Sequence, residues 1–343
     1  MGTHFTTVVD GILEGRVVPF LGAGVNLCDR PEEPENQKEQ ADSQDREPGG
    51  SAEPAEEKKF RWTDEQSVYP PSGAELAEYL AKEFRYPVDP PCPACTKRPA
   101  LDLARVSEFG GLDRGPGVLN EKLHALFVKQ YPATSVHQAL TSLPMPAPKA
   151  QRPDDRYPLF ATTNYDDLME RAFPAAQELD IVFYDPDDQP RGRFWHKPPG
   201  KNPLPIEQPN EYDYPFCTHR PAILKLHGTV DRATRDHEGF VITEDHYIEY
   251  LAEEALEKLL PSALLDKLRN NHLLFLGYSL KDWNFRVFLR RLKRSPRTRR
   301  NSWAIMLKPD ETDEKFWAEN RVEIRTLSLA DYMNALLSEL WSR

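Results

Sequence analysis

Residues 16–24 read Arg-Val-Val-Pro-Phe-Leu-Gly-Ala-Gly, and the fold turns on what that stretch is. The five apolar residues 17–21 suit a short strand covered on both faces. The run stops at Gly22-Ala23-Gly24, a loop that permits a tight turn or a close backbone approach to a ligand. Upstream, Phe5, Val8, Val9, Ile12 and Leu13 recur at helical spacing. Helix, strand and glycine loop make the first unit of an α/β fold.

From Tyr157 onward, apolar runs alternate with helical patterns, which predicts a mainly parallel sheet with helices on both faces. Strands are expected at 159–163, 181–184, 222–226, 239–243, 273–277, 303–307 and 322–327. Phe285, Phe288, Leu289 and Leu292 mark one covering helix, and Met333, Leu336, Leu337 and Leu340 another. Between the glycine loop and this region, Ser72-Gly-Ala-Glu75 reads as a capping box that opens a helix through Leu76, Tyr79, Leu80 and Phe84. Further helices at 101–109, 118–130 and 136–143 complete an inserted helical lobe over 61–150. The main part of the parallel sheet then occupies 157–343, and 1–343 reads as one domain. Nine prolines fall within 185–221, which is expected to be an irregular excursion.

The 343 residues include 44 Lys or Arg and 55 Asp or Glu, a formal charge of -11. That excess disfavours general electrostatic binding to nucleic acid or anionic membrane. More than half of it sits in residues 29–59, where 11 acidic residues outnumber 5 basic ones. With four prolines, two glycines and three alanines as its only apolar residues, this insertion is expected to be disordered. The opposite sign collects in Arg286, Arg290, Arg291, Lys293, Arg294, Arg297, Arg299 and Arg300. Nucleic acid could bind there, although a solvated helix C-terminus is the simpler account. Four cysteines are too few for a disulfide framework, and no charged-then-apolar leader opens the sequence. No run approaches the roughly 18 apolar residues of a membrane span, so a reduced cytoplasmic setting is expected.

Ligands of open parallel sheets bind beyond the carboxyl ends of the strands. Four expected strands are followed there by small or polar clusters: Gly22-Ala23-Gly24, Thr162-Thr163-Asn164-Tyr165-Asp166, His227-Gly228 and Gly277-Tyr278-Ser279. Each also has a structural reading. The glycines suit a turn, Asn164 and Asp166 suit the start of a helix, and His227 suits a satisfied structural histidine.

Taken together, Val18-Pro-Phe-Leu-Gly-Ala-Gly-Val-Asn26, Phe160-Ala-Thr-Thr-Asn-Tyr-Asp-Asp-Leu-Met-Glu170, Leu224-Lys-Leu-His-Gly-Thr-Val-Asp231 and Phe275-Leu-Gly-Tyr-Ser-Leu-Lys-Asp-Trp-Asn284 resemble the sirtuin-like domains of bacterial antiphage defence systems. The resemblance implies a Rossmann-like sheet with a small inserted lobe, and a reaction that hydrolyses NAD. It assigns Gly22, Ala23, Gly24 and Asn26 to the cofactor loop, with Thr162, Gly277 and Ser279 beside it. It assigns Asn164, Asp166 and His227 to catalysis. It also implies a homo-oligomer and a partner ATPase or sensor protein.

Departures from the family bear on the reaction. Protein-deacylating sirtuins carry two Cys-x-x-Cys pairs after the histidine, whereas the single pair here, Cys92-Pro-Ala-Cys95, precedes Asn164. Zinc would need Cys28 and Cys217 to join that pair, so no metal is expected. The Ile-Pro-Asp-Phe-Arg run of deacylases is replaced by Cys28-Asp-Arg-Pro-Glu-Glu33. Both losses favour hydrolysis of NAD to nicotinamide and ADP-ribose. A protein deacylase, or a module that binds NAD, ADP-ribose or nucleic acid without chemistry, are the alternatives. On the expected mechanism Asp166 faces the positive charge that grows on the ribose, and Asn164 holds a water in line with the anomeric carbon. His227 acts as base on that water or on a ribose hydroxyl.

Overall fold

Apolar side chains that alternate above and below a strand need cover on both faces, and the computed structural model supplies it. The structure describes residues 2–30, 62–63, 67–87, 101–188, 192–252, 255–278, 283–293 and 300–343. In chain order the strands are β1 (Val17–Leu21), β2 (Leu159–Thr162), β3 (Asp180–Asp185), β4 (Arg193–Lys197), β5 (Leu204–Pro205), β6 (Ala222–Lys225), β7 (Gly228–Thr229), β8 (Gly239–Phe240), β9 (His272–Leu276), β10 (Ser302–Met306) and β11 (Val322–Thr326). Among the described residues, nine of them form one sheet in the order β11-β10-β9-β1-β2-β6-β3-β4-β5. Neighbours are parallel except where β4 pairs with β3 and β5. This is the α/β class that the alternating pattern predicts and the Rossmann-like sheet that the resemblance implies.

Strand β1 is buried along its whole length. Val18 and Phe20 face one side, where Phe20 meets Phe275 and Phe285 at ring-centre distances of 5.3 and 5.4 Å. Val17 and Leu21 face the other, against Val8 and Val9 of the helix Gly2–Leu13 and Tyr332 and Leu336 of the helix Leu329–Trp341. Burying a side chain such as Phe20 contributes about 1.5–3 kcal/mol relative to leaving it in water. A proline inside so central a strand needs an explanation, because Pro19 has no N–H to give the ladder. Thr163 N donates to Leu21 O at 3.2 Å, so the odd-numbered residues of β1 turn their backbone toward β2. Pairing with β2 begins only at Phe20↔Ala161, one residue later, so Pro19 interrupts no bond.

Three helices, Gly73–Glu83, Leu103–Arg114 and Pro116–Phe127, share a third apolar cluster through Leu76, Leu80, Phe84, Val106, Leu119 and Leu123. Tyr165, Val230, Phe240 and Ile242 complete it, so this cluster sits against the loops at the sheet edge. The helix Ser135–Thr141 packs Val136 and Leu140 onto the sheet face with Phe160 instead. The capping box is formed as the spacing predicts: Ser72 N donates to Glu75 Oε2 at 2.7 Å, and Glu75 N to Ser72 Oγ at 3.3 Å. No described helix is long and apolar enough to cross a membrane.

Two expectations need correction. Residues 239–243 do not join the main sheet; only Gly239–Phe240 is extended, paired antiparallel with Gly228–Thr229, where Gly228 has φ +98°. The proline-rich span 185–221 is not wholly irregular, since it supplies β4 and the edge strand β5. In β4 the buried Phe194 and His196 alternate with Arg193, Trp195 and Lys197, a two-residue period that the flanking prolines mask. Pro205 is tolerated because β5 is the edge and no further strand needs its donor. The acidic insertion lies outside the described residues except at its start. There Asp29 accepts from Ser135 N and Oγ, and Arg30 donates to both Glu75 oxygens, at 2.9 and 3.1 Å. Those two anchors belong to the ordered fold. Replacing residues 31–58 with a short Gly-Ser linker is therefore expected to leave the thermal midpoint within a few degrees of the parent chain. A large fall in calorimetry would mean that the segment contributes to the fold.

Candidate functional site

The chain passes from β1 toward β2 on one side, while β9 and the strands after it lie on the other. The switch point, where such sheets bind ligands, is thus between the carboxyl ends of β1 and β9. Gly22 and Gly24 leave β1 there and Gly277 leaves β9. Gly24 N donates to Gly277 O at 2.9 Å. A Cβ on Gly24 would fall 2.6 Å from that oxygen, and one on Gly277, at φ +71°, 2.3 Å from Val25 N. The glycines are required by the approach of two backbones, and the Gly24 N–H is spent on it rather than aimed at a phosphate.

Strand β2 ends in a loop tied to the glycine segment by three side chains. Thr162 Oγ1 donates to Leu21 O at 2.9 Å and accepts from Asn164 N at 3.0 Å. Asn164 Nδ2 donates to Gly22 O at 3.3 Å, which sends its amide oxygen the other way. Asp166 Oδ2 accepts from Asn26 Nδ2 at 2.8 Å, and its Oδ1 from Leu168 N at 3.1 Å. All four of these side chains are buried. The Asn26 Oδ1 atom, equally buried, meets no donor among the described residues. Direct contacts therefore join Gly22, Gly24, Asn26, Thr162, Asn164, Asp166 and Gly277, with the exposed Ala23 between the two first glycines.

His227 stands on the next strand over, just past β6. Leu226 N donates to Thr162 O at 2.9 Å, and His227 O accepts from Val241 N at 2.8 Å, so its backbone is fixed at the same edge. Its buried ring packs edge-on to Tyr247 and Tyr250 at 5.6 and 5.9 Å. Ser279 lies outside the described residues.

Residues 158–324 match the SIR2-like domain family model. This stretch of the chain is similar to SIR2-like domains. The match begins one residue before β2 and ends within β11, so it holds Asn164, Asp166, His227 and Gly277, while the Gly22 to Asn26 segment precedes it. An NAD-linked function comes with this domain. No curated protein matches the chain.

Several residues that shape the candidate site escape a reading by motif. Lys225, fully buried, donates from Nζ to Asp166 O at 2.5 Å, Glu170 Oε1 at 2.9 Å and Tyr165 O at 3.3 Å. The signal for it is a lysine inside the apolar run 222–226. His137 caps its own helix, with Nδ1 2.8 Å from Thr134 Oγ1, which in turn donates to Val25 O. Burial holds the His137 imidazole below its usual range against the pull of Asp166, so it is neutral at neutral pH. Arg232 links the lobe to the β2 loop. It donates to Asp167 Oδ1 at 2.9 Å and to the carbonyls of Val128 and Lys129, just past the helix Pro116–Phe127.

Other candidates fall elsewhere. Two open cavities of about 510 and 480 Å³ lie at the opposite end of the sheet, around Arg16 and Lys267 and around His272 and Arg325. Neither is lined by a described residue of the candidate site. In the basic cluster Arg286 lies over the Phe316 ring at 4.6 Å, Arg290 is 3.6 Å from Glu319, and Arg300 is 3.3 Å from His272 Nε2. Lys293 donates to Ser302 Oγ at 2.8 Å, and burial brings its ammonium down to about 8. These four are engaged by the protein's own groups; Arg294, Arg297 and Arg299 lie outside the described residues. Cys28 and Cys217 pack in different apolar clusters, and burial pushes both thiols up to about 11. Cys92 and Cys95 lie outside the described residues.

Burial alone would raise the Asp167 carboxyl, but hydrogen bonds from Arg232 and the charges of Arg171 and Arg232 hold it below the usual carboxylate range. A carboxyl lowered on folding adds stability that is complete above its unfolded value, about 3.9, and is lost as pH falls through its folded one. Asp167→Asn is therefore expected to cost about 1.5–3 kcal/mol at pH 7, with the gap to wild type narrowing below pH ~4. Urea unfolding at the two pH values measures it, and an equal gap at both would contradict the pairing.

Proposed function

We propose that this SIR2-like domain hydrolyses NAD to nicotinamide and ADP-ribose. The observation that carries the reading is the meeting of Asn164, Asp166 and the Gly22–Asn26 segment at the switch point, with His227 on the strand beside them. Nicotinamide leaves a pyridinium as a neutral base, so the leaving group needs no general acid. The difficulty is the positive charge left on the ribose. Asp166 is a fixed carboxylate for that charge, held by Asn26 and by Leu168 N so that it need not reorganise during the reaction. Asn164, anchored through Nδ2, presents its amide oxygen to orient a water. His227 serves as base toward that water or a ribose hydroxyl.

The resemblance to defence-system sirtuin domains suggests a setting: an effector that depletes NAD in an infected bacterial cell. In that setting assembly of copies of the chain, or a partner ATPase or sensor protein, would raise a low basal turnover when triggered. Purified protein incubated with NAD is expected to release nicotinamide and ADP-ribose, followed by chromatography. Asn164→Ala and His227→Ala are expected to slow release by about 10²-fold or more. Full turnover in both variants would remove these roles, and release that requires an acylated peptide would assign a deacylase instead.

A further inference from the structure

We propose that Lys225 is the positioning residue of this site, its buried ammonium setting the Asn164–Asp166 loop against the strand that carries His227. The proposal rests on the reading that Asn164 and His227 act on one substrate. An ammonium has three N–H donors, and here all three are used: two on the carbonyls of Tyr165 and Asp166, one on Glu170. The lysine side chain is fully buried, where an unpaired charge is costly and an apolar residue of the same length would pack more cheaply. Stability of β6 alone gives no reason for a charge here.

Position gives one. The β2 and β6 ladder runs out at Thr162↔Lys225 and the bond from Leu226 N to Thr162 O. Beyond it the β2 loop leaves the sheet, and the two carbonyls that Lys225 grips belong to the residues directly after Asn164. The same lysine is two residues before His227. One side chain therefore links the loop of Asn164 and Asp166 to the strand that leads into His227, and a neutralised ion pair with Glu170 would not require the two carbonyl bonds. Misplacing reacting groups by about 1 Å can cost on the order of 10²-fold in rate.

The test separates positioning from charge burial. Lys225→Met keeps length and removes the donors; Lys225→Met with Glu170→Leu also removes the carboxyl left without its partner. The full-length single and double variants are compared with wild type by thermal midpoint, nicotinamide release, and hydrogen exchange of the amides of residues 163–168. The single variant is expected to lose thermal stability. The double variant is expected to recover it, yet to keep kcat reduced about 10²-fold with KM little changed, and to exchange faster at 163–168 than wild type while β2 and β6 stay protected. A double variant that regains kcat with its stability, or exchanges at the wild-type rate in the loop, overturns the proposal. If wild type does not hydrolyse NAD, the function proposed above fails, and the exchange measurement still decides whether Lys225 sets the loop.

Discussion

A hydrogen bond of 2.9 Å between Gly24 N and Gly277 O brings the ends of β1 and β9 together, and it exists because neither residue has a Cβ. The rest of the site is assembled on that contact. With the two strand ends in register, Gly22 O is placed for the Asn164 amide and Asn26 for the Asp166 carboxylate. A side chain at either glycine would separate the two loops and move both partners of the β2 loop with them. The central strand obeys the same economy, since Pro19 is admitted where its missing donor faces β2 ahead of the first paired residues.

Charge buried around the β2 loop has a consistent pattern. Lys225 reaches it from β6, Arg232 and Arg171 hold Asp167 at its far end, and Asn26 holds Asp166 from the glycine segment. Two stretches distant in sequence, the glycine segment and residues 225–232, thus converge with the neighbouring Arg171 on residues 164–167. Arg232 also grips the carbonyls at the end of a lobe helix, so the helical lobe and the loop share one anchor. Buried ion pairs are poor sources of stability, and their concentration at one short loop is better understood as fixing geometry.

Much of the architecture was legible before any coordinates. Strand β1, its helix, the capping box at Ser72 and the parallel strands with their order along the chain follow from hydrophobic period and turn residues. The polar clusters at the strand ends were legible as well, because a run that stops at Gly22, Asn164, His227 or Gly277 marks the carboxyl edge. What escaped had a weak local signal. Strand β4 alternates over only five residues between prolines, and Gly239–Phe240 is too short to distinguish a sheet strand from a ribbon. The helix expected over 101–109 meets Gly110 and Gly111, residues that weaken a helical pattern. The structure continues it to Arg114, with Gly110 admitting the Phe84 ring, to which a Cβ would come within 2.4 Å.

By itself the sequence determined the class of fold, the edge where chemistry belongs and the residue types gathered there, since these depend on periodicity and on the intrinsic freedom of glycine. Tertiary structure alone decided the pairings. That Asp166 answers Asn26, that Gly24 gives its N–H to Gly277 and not to a ligand, and that Lys225 closes on the loop before His227 are contacts between segments from about 60 to 250 residues apart. No local pattern encodes them, because each depends on strand order and register, and those are fixed only when both faces of the sheet are packed.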